Sequence, residues 1–534
     1  MLLDEWFLSA DERGNPATRL DSRHPDGSAW TTGNDVRPLI HGAAYFADLL
    51  EAVDAAQKGD ILFFTDWRGD PDQLLAAEPD RTVRDVLSDA ARRGVVVKGL
   101  VWRSHLDKLQ FSAEENRHLG VEIEEAGGEV LLDMRVRTGG SHHQKFVVIR
   151  HPAEPRSDIA YVGGIDLGHS RRDDADHAGD PQAQPMPDVY GERPPWHDVQ
   201  VRIQGPAVGD VDTVFRERWE DPSPLSNNPA RVARDRLSHR DITPDPLPEQ
   251  PPDPGTAGSH NVQILRTYPH RRRNSYPFAP DGERSIARAY LKALKRARRL
   301  IYLEDQYLWS QDVAACFAEA LKENPDLHLI AVVPSYPDQT GLSTTGENLG
   351  RNRALDKLRA VAPDRIAVYG PENREGTPVY VHAKVCVIDD IWAVVGSDNL
   401  NRRSWTYDSE LSCAVIDDER DPRAPVDPAG LGDGARAYAR NLRLSLASEH
   451  LELTGHDLDA LADPETAYET FANSARALDE WHRNGKQGTR PSGRLRPYAP
   501  AKLAKFAGVW ADPLYQYLLD PDGRPRRLRR ADDF

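Results

Sequence analysis

The chain has 534 residues, too many for one ordinary core, so two to four domains are expected. Its 39% hydrophobic and 29% charged residues are those of a soluble globular protein, and no apolar run approaches the ~18 residues that span a bilayer. A net charge of −17 disfavours general nucleic-acid binding while leaving room for a local basic pocket.

The opening MLLDEWFLSADERGN has no basic start, and Asp4 and Glu5 interrupt its short apolar stretch, so a secretory leader is not expected. Asp60 to Trp67 (DILFFTDW) predicts a buried strand, Arg81 to Gly94 a helix stopped by glycine, and Val95 to Trp102 a second, β-branched strand. HHQKFVVI and Ile159 to Leu167 (IAYVGGIDL) then predict two strands around a loop. The order returns in the second half, as a helix from Glu283 to Arg299 and strands at Leu300 to Trp309 (LIYLEDQYLW) and Leu327 to Pro334. The strands VHAKVCVID and Trp392 to Leu400 complete it. Asp66 and Glu304 are read as the acids that end matching apolar runs. The matching histidines, His143 and His382, lie 239 residues apart, which marks a duplicated domain and not a solenoid repeat.

Two Pro-dense stretches, DPSPLSNNPA and Ile242 to His260, separate the halves and read as linker or surface excursion. The expected organisation is a first domain over 1–220, a linker over 221–260, a second domain over 261–420 and a helical or irregular extension over 421–534. Strands alternating with helices predict α/β sandwich domains with mostly parallel sheets. Cys316, Cys386 and Cys413 give no disulfide framework; the last two sit in apolar runs and read as buried small hydrophobes, which suits a reducing, cytoplasmic compartment. Two basic clusters, His270 to Arg273 and Arg526 to Arg530, read as solvated segments, with phosphate head groups as the alternative partner.

The chemistry lies in the repeated His-x-Lys. A histidine and a lysine two apart on a strand share a face, and a duplicated domain can bring two such faces around one cavity. Two imidazoles suit a reaction in which one attacks and the other handles protons. Two ammonium groups suit a substrate that gathers negative charge, such as a phosphate. Gly163-Gly164-Ile165-Asp166 and Gly396-Ser397-Asp398-Asn399 follow the two copies; Asn399 can donate to a phosphoryl oxygen, whereas ionised Asp166 cannot. Asp198 and Glu410 are available to orient the imidazoles. His142 is expected to face away from His143, and no Cys/His set with ligand spacing points to a metal.

These residues resemble the phospholipase D superfamily, whose mark is a duplicated H-x-K-x4-D, each copy followed by a G-G/S-x-N element. HAKVCVID with GSDNLNRRSW matches fully; HHQKFVVI with GGIDL is similar to the first motif of eukaryote-type phospholipases D. TDWRGDP, PPWHDVQVRIQGPAVGDVDTVFRERW and IYLEDQYL extend the resemblance over about Asp4 to Asp417. It implies a bilobal fold with the site on a pseudo-twofold interface, and no metal or other cofactor. It also implies that His143 is the nucleophile forming a phosphohistidine, and that His382 is the acid and then the base. Lys145, Lys384 and Asn399 would hold phosphoryl oxygens, with Glu410 orienting His143 and Asp198 orienting His382 across the interface. Gly164, Asp166, Ser397, Asp66, Trp67, Glu304 and Gln306 would surround the substrate, and Asp389 would complete the second motif.

The implied activity is hydrolysis of phosphatidylcholine-like lipids at a membrane surface, with transfer to alcohols, by a monomer that binds no nucleic acid. The alternatives are a cardiolipin-synthase-like phosphatidyl transferase, a superfamily nuclease and a non-catalytic phospholipid-binding relative. One departure stands out: Arg150 occupies the position of Asp389. Strand alternation turns Arg150 away from His143 and Lys145, and Asp158 is near enough in sequence to pair with it. Replacing Arg150 is therefore expected to change stability only modestly and to leave turnover within about tenfold.

Overall fold

The computed structural model describes every residue except 1, 25, 104–114, 227, 229–231, 234, 236, 238–241, 504–506 and 532–533. The two halves contribute matching sets of strands to one 16-stranded sheet. The first set is β1 (Thr31–Ile40), β2 (Ile61–Asp66), β3 (Val96–Trp102), β4 (Glu129–Asp133), β5 (Phe146–Arg150), β6 (Ile159–Gly163) and β7 (Val199–Gln204). The second is β8 (His260–Tyr268), β9 (Leu300–Asp305), β10 (His328–Val332), β11 (Ile366–Pro371), β12 (Lys384–Ile388), β13 (Trp392–Gly396) and β14 (Glu410–Asp417). An additional edge strand, β15 (Leu495–Pro497), comes from the C-terminal region. The sheet runs β15-β11-β10-β9-β12-β13-β14-β8-β1-β7-β6-β5-β2-β3-β4, with the short sixteenth strand Glu283–Arg284 pairing β8 off this path, so each half reads in the same order outward from the β8/β1 junction.

The predicted parallel pairing is found within the crossover units, β2/β3/β4 and β9/β10/β11. There a helix returns the chain each time: Val83–Arg93, Glu115–Glu125, Gln311–Glu323 and Leu342–Val361. The hairpins β5/β6 and β12/β13 and the ladders around the junction are antiparallel. Hairpins need only short turns, and the two halves meet head to head, so those pairings reverse direction. Local signals set the helix ends: Thr82 accepts from the Asp85 amide at the start of Val83–Arg93, and Gly94 ends it with φ 91.

Apolar residues form three layers. Helices Gly42–Ala55 and Val83–Arg93 cover one face of the first half through Phe46, Leu49, Val86 and Ala90, against Leu62, Phe64 and Val147. Helices Ser285–Arg296, Gln311–Glu323 and Leu342–Val361 cover the corresponding face of the second through Tyr290, Phe317 and Leu355. The opposite face is common to both halves and lies under Ala207–Trp219, Ala437–Leu451 and Pro464–Arg483. Ala207–Trp219 is buried on all sides although it carries five charges. Its charges are paired: Asp210 with Arg23 at 2.7 Å, Glu217 with Arg266 at 2.6 Å and Arg218 with Asp133 at 2.9 Å, while Asp212 joins Arg150 and Arg216, each at 2.7 Å.

Sequence order and spatial order differ at the ends. Trp6, Phe7 and Leu8 enter the core of the second half, and Arg13 pairs there with Glu283 at 3.0 Å. The C-terminal region adds β15 and also reaches the cavity described below, where the Tyr515 hydroxyl donates to the Trp309 carbonyl at 2.9 Å. Cys386 and Cys413 are buried free thiols, as expected. No helix among the described residues is long and apolar enough to cross a membrane. Of the basic clusters, Arg272, Arg273, Arg526, Arg527, Arg529 and Arg530 are exposed, whereas Arg271 is buried over the Tyr276 ring at 4.6 Å.

Candidate active site

Each His-x-Lys begins just before its strand, and the histidine is held there by the other half. Ser141 to His143 lies beside Asp408 to Glu410: the His143 amide donates to the Ser409 carbonyl at 2.8 Å, and the Ser409 amide to the Ser141 carbonyl at 3.0 Å. Tyr380 and Val381 pair in parallel with Trp196 and His197, and the His382 amide donates to the His197 carbonyl at 2.8 Å. Each pairing delivers a carboxylate from the opposite half. His143 Nδ1 lies 2.9 Å from Glu410 Oε2, and His382 Nδ1 lies 2.7 Å from Asp198 Oδ2. With Nδ1 donating to a carboxylate, Nε2 carries the free lone pair. A tryptophan flanks each ring, Trp67 at 6.2 Å from His143 and Trp196 at 5.0 Å from His382.

The lysines fold back on the same turns: Lys145 Nζ donates to the His143 carbonyl at 2.9 Å, and Lys384 Nζ to the His382 carbonyl and, at 3.2 Å, to Gln306 Oε1. Burial, then the two ammonium groups, holds the His143 imidazole well below its ordinary pKa. Burial, then Lys384 and Arg171, does the same for His382. Burial pushes Glu410 up to about 7 and Lys384 down to about 8. Asp166 sits 3.6 Å from both Lys145 and Arg171, and these cations hold its carboxyl below the ordinary range against the opposing effect of burial. Asp66, buried beside that negative charge, is pushed well up.

Both histidines open on one cavity of about 720 Å³. Of the residues expected around a substrate, Trp67, Asp166, Gln306 and Asn399 line it with His143, His382 and Glu410. Ser397 lies behind the wall and donates to Glu410 Oε2 at 2.5 Å. Gly164 abuts Asp198, where a β-carbon would come within 2.3 Å of Oδ1, so glycine is what lets that carboxylate approach. Asp66 and Glu304 are not on the wall. The ladder registers also correct their pairing: Phe146 faces Thr65 and Val385 faces Glu304, so Asp66 corresponds to Asp305 and Glu304 to Thr65. Asp305 accepts the amides of Tyr307, Leu308 and Leu400, while Glu304 turns to the opposite sheet face and meets His197 and His450. The period of two along a strand puts neighbouring acids on opposite faces.

Sequence reasoning missed several cavity residues. Arg171 stacks over Trp196 at 4.2 Å, and Trp102 stacks on Trp67 at 5.5 Å. Tyr307 and Trp309 stack at 3.8 Å, and Asp338, Glu347, Leu518 and Leu519 complete the mouth. Trp67 and Trp309 stand at the ends of the strands read from the sequence, but Arg171 and the C-terminal leucines carry no spacing signal. His142 faces away from the cavity as expected, with Nδ1 2.6 Å from the Ser409 hydroxyl and Nε2 3.4 Å from Asp133.

Arg150 also points away, and Asp158 is indeed its partner at 2.6 Å, but it is far more than a tolerated change at a hairpin base. It is fully buried, pairs with Asp212 at 2.7 Å, and donates to the carbonyls of Pro251 and Pro252 at 3.2 and 2.7 Å. The expectation of a modest stability effect is therefore corrected: removing it leaves buried Asp158 without its guanidinium and Asp212 with Arg216 as its one remaining cation.

Residues 70–316 match the family profile described as Phospholipase D, and residues 290–421 the one described as Cardiolipin synthase, PLD-like domain. The chain belongs to the phospholipase D superfamily. Among curated relatives, Phospholipase D alpha 1 of Cynara cardunculus is 24% identical, over 76% of this chain and 63% of that protein. The Arabidopsis thaliana Phospholipase D alpha 1 is likewise 24% identical, over 78% and 65%. The chain thus matches less than two thirds of the length of either relative. Among solved structures, the phosphatidylserine synthase of Haemophilus influenzae has a similar fold, with TM-score 0.50 at 13% identity over 84% of this chain and 93% of that one.

Proposed function

We propose that the chain is a phospholipase D that hydrolyses phosphatidylcholine-like glycerophospholipids to phosphatidic acid and the free head-group alcohol. The observation that carries this reading is the crosswise pair: two imidazoles, each oriented by a carboxylate of the other half, face one cavity, with Lys145 and Lys384 buried just behind its wall against the histidine carbonyls. His143 Nε2 attacks phosphorus and the bond to the head-group oxygen breaks. His382 gives that oxygen its proton. Water then gives a proton to His382 and attacks phosphorus, breaking the phosphorus–nitrogen bond and freeing His143. The lowered pKa of His143 keeps it unprotonated for attack. The incoming phosphodiester adds negative charge beside His382 and favours its protonated form. Lys145, Lys384 and Asn399 supply donors for the phosphoryl oxygens, preorganised in a buried site.

The enzyme works peripherally at a membrane surface on the cytoplasmic side, as a monomer, and its net charge of −17 weighs against a nucleic-acid substrate. A second reading, phosphatidyl transfer to an alcohol, is favoured by the cardiolipin-synthase-type match over 290–421 and uses the same covalent intermediate. One experiment tests both. Labelled phosphatidylcholine is incubated with the protein and butanol, with plasmid DNA in a parallel reaction. Phosphatidic acid with phosphatidylbutanol is expected. Hydrolysis without transfer at any alcohol concentration counts against the covalent intermediate. Cleaved DNA with intact lipid would make the chain a nuclease, and no turnover of either a non-catalytic relative.

A further inference from the structure

Behind His382, on the side away from the cavity, three histidines and a glutamate converge. Glu449 Oε2 lies 2.6 Å from His41 Nε2, and Glu449 Oε1 lies 2.9 Å from His177 Nε2 and 3.2 Å from His197 Nδ1. One ligand atom from each of the four residues falls within 4.8 Å of all the others. The three rings are buried, at 3%, 2% and 0% exposure.

Two further observations point to a cation at the centre. First, the outward nitrogens of two rings face carboxylates: His197 Nε2 lies 2.6 Å from Glu304 Oε2, and His177 Nδ1 lies 3.6 Å from Asp173 Oδ2. At hydrogen-bond distance, the Glu304 carboxylate fixes the His197 tautomer that leaves its inner nitrogen unprotonated, as metal-bound imidazoles require, whereas Asp173 lies beyond that reach and adds only negative charge beside His177. Second, His41 and His177 have φ values of 69° and 55°, a region disfavoured for residues with a β-carbon. The chain adopts it at two of the three histidines that aim inward.

We propose that His41, His177, His197 and Glu449 form a closed, four-ligand site for a divalent cation that prefers imidazole, zinc foremost. Three nitrogens and one carboxylate oxygen are a tetrahedral donor set with no open position, which suits a structural ion. Glu449 and Glu304 offset its charge. The neighbouring group of His197, Glu304 and His450 is a poorer candidate, because Glu304 is already engaged by the Tyr302 hydroxyl at 2.6 Å as well as by both histidines. The ion would tie the entry to helix Gly42–Ala55, the loop carrying His177 and helix Ala437–Leu451 to the segment Trp196 to Asp198. That segment orients His382 through Asp198 and receives the His382 and Ala383 amides at the His197 carbonyl. The ion is a positioning element and takes no part in the chemical step.

The full chain, purified without metal-affinity resin and dialysed, is assayed by elemental analysis. About one zinc per chain is expected, falling below about a tenth in His177→Ala and in Glu449→Gln. Cobalt exchanged into the wild-type chain should give the visible bands of a tetrahedral nitrogen/oxygen site, a readout that needs no folded variant and no activity. A strong chelator should lower Tm in the wild type, and added zinc should restore it. A wild-type chain that retains no metal and binds neither added zinc nor cobalt overturns the proposal and leaves a hydrogen-bonded histidine–glutamate network. Metal retained in both variants at wild-type level overturns it as well.

Discussion

The regions around His143 and His382 are built alike where chemistry is done and differently one layer behind. At each, a two- to three-residue parallel contact with the other half carries an orienting carboxylate to Nδ1. Behind His143, the contact pairs His142 with Ser409, and Asp133 and Arg218 lie beyond them. Behind His382, it pairs Val381 with His197, which leads to Glu304, Glu449 and three more histidines. At the far end of the motif, Asp389 accepts the amides of Arg298, Arg299 and Leu300 at 2.7 to 2.8 Å, while Arg150 bridges Asp158 and Asp212. Both copies keep a histidine held by a carboxylate of the other half and a lysine behind it, although Asp166 and Asn399 differ on the cavity wall. The supports have diverged because a strand base can be tied down by an anion on backbone amides or by a cation on buried carboxylates.

The largest expected effect breaks the likeness of the two histidines. His143→Ala and His382→Ala should each lower kcat by on the order of 10³-fold or more, and the double variant should lose little beyond either single one, because they act as a unit. Phosphate label should be trapped on His143 in the His382→Ala background. Label on His382 would exchange the two roles.

Next comes the far end of the motif. Arg150→Ala leaves Asp158 and Asp212 buried without their shared partner and should cost about 3–5 kcal/mol in denaturant unfolding. Arg150→Asp, which restores the usual motif residue, should be worse, since it sets three carboxyls together. Asp389→Ala should cost about 1–3 kcal/mol, the price of amides left unpaired. Any of the three that folds should keep turnover within about tenfold, which equals roughly 1.4 kcal/mol in barrier. A folded Arg150→Ala chain of wild-type stability and much lower turnover would move the residue into the catalytic apparatus.

The duplication and the inner strands with their hairpins were legible from spacing, and the crosswise histidine pairs from the family motif, whereas β1, β4, β7, β8, β11 and β14 were not read. Strand direction at the junction was not, since antiparallel pairing between halves leaves no mark in either half alone. The equivalence of Asp66 and Glu304 failed by one residue: TD and ED each end an apolar run, and only the ladder register separates the two faces. His41, His177 and Glu449 are scattered over 409 positions, so only folding shows that they meet His197. Arg150 was rightly turned from the cavity, but its second carboxylate, Asp212, comes from helix Ala207–Trp219, a contact that no spacing in the sequence announces.

The smallest effect is expected where the first half is made to resemble the second. Asp166 and Asn399 hold matching places in the two glycine-containing strands, and both line the cavity. Asp166 accepts the amides of Trp67 and Arg68 at 3.2 and 3.3 Å, contacts that the Oδ1 of an asparagine can keep. What Asp166→Asn removes is the negative charge beside Lys145 and Arg171. Two consequences follow with definite sign. A phosphate substrate meets less repulsion, so KM should fall while kcat changes less than about tenfold. The Asp166 charge also favours the imidazolium forms of His143 and His382. Its loss should therefore lower both pKa values and move the acid limb of kcat/KM to lower pH. The reverse exchange, Asn399→Asp, adds an anion where phosphoryl oxygens are to bind and should raise KM. An unchanged acid limb with a raised KM in Asp166→Asn would mean that the carboxylate serves the fold of the Trp67 turn and not the electrostatics of the cavity.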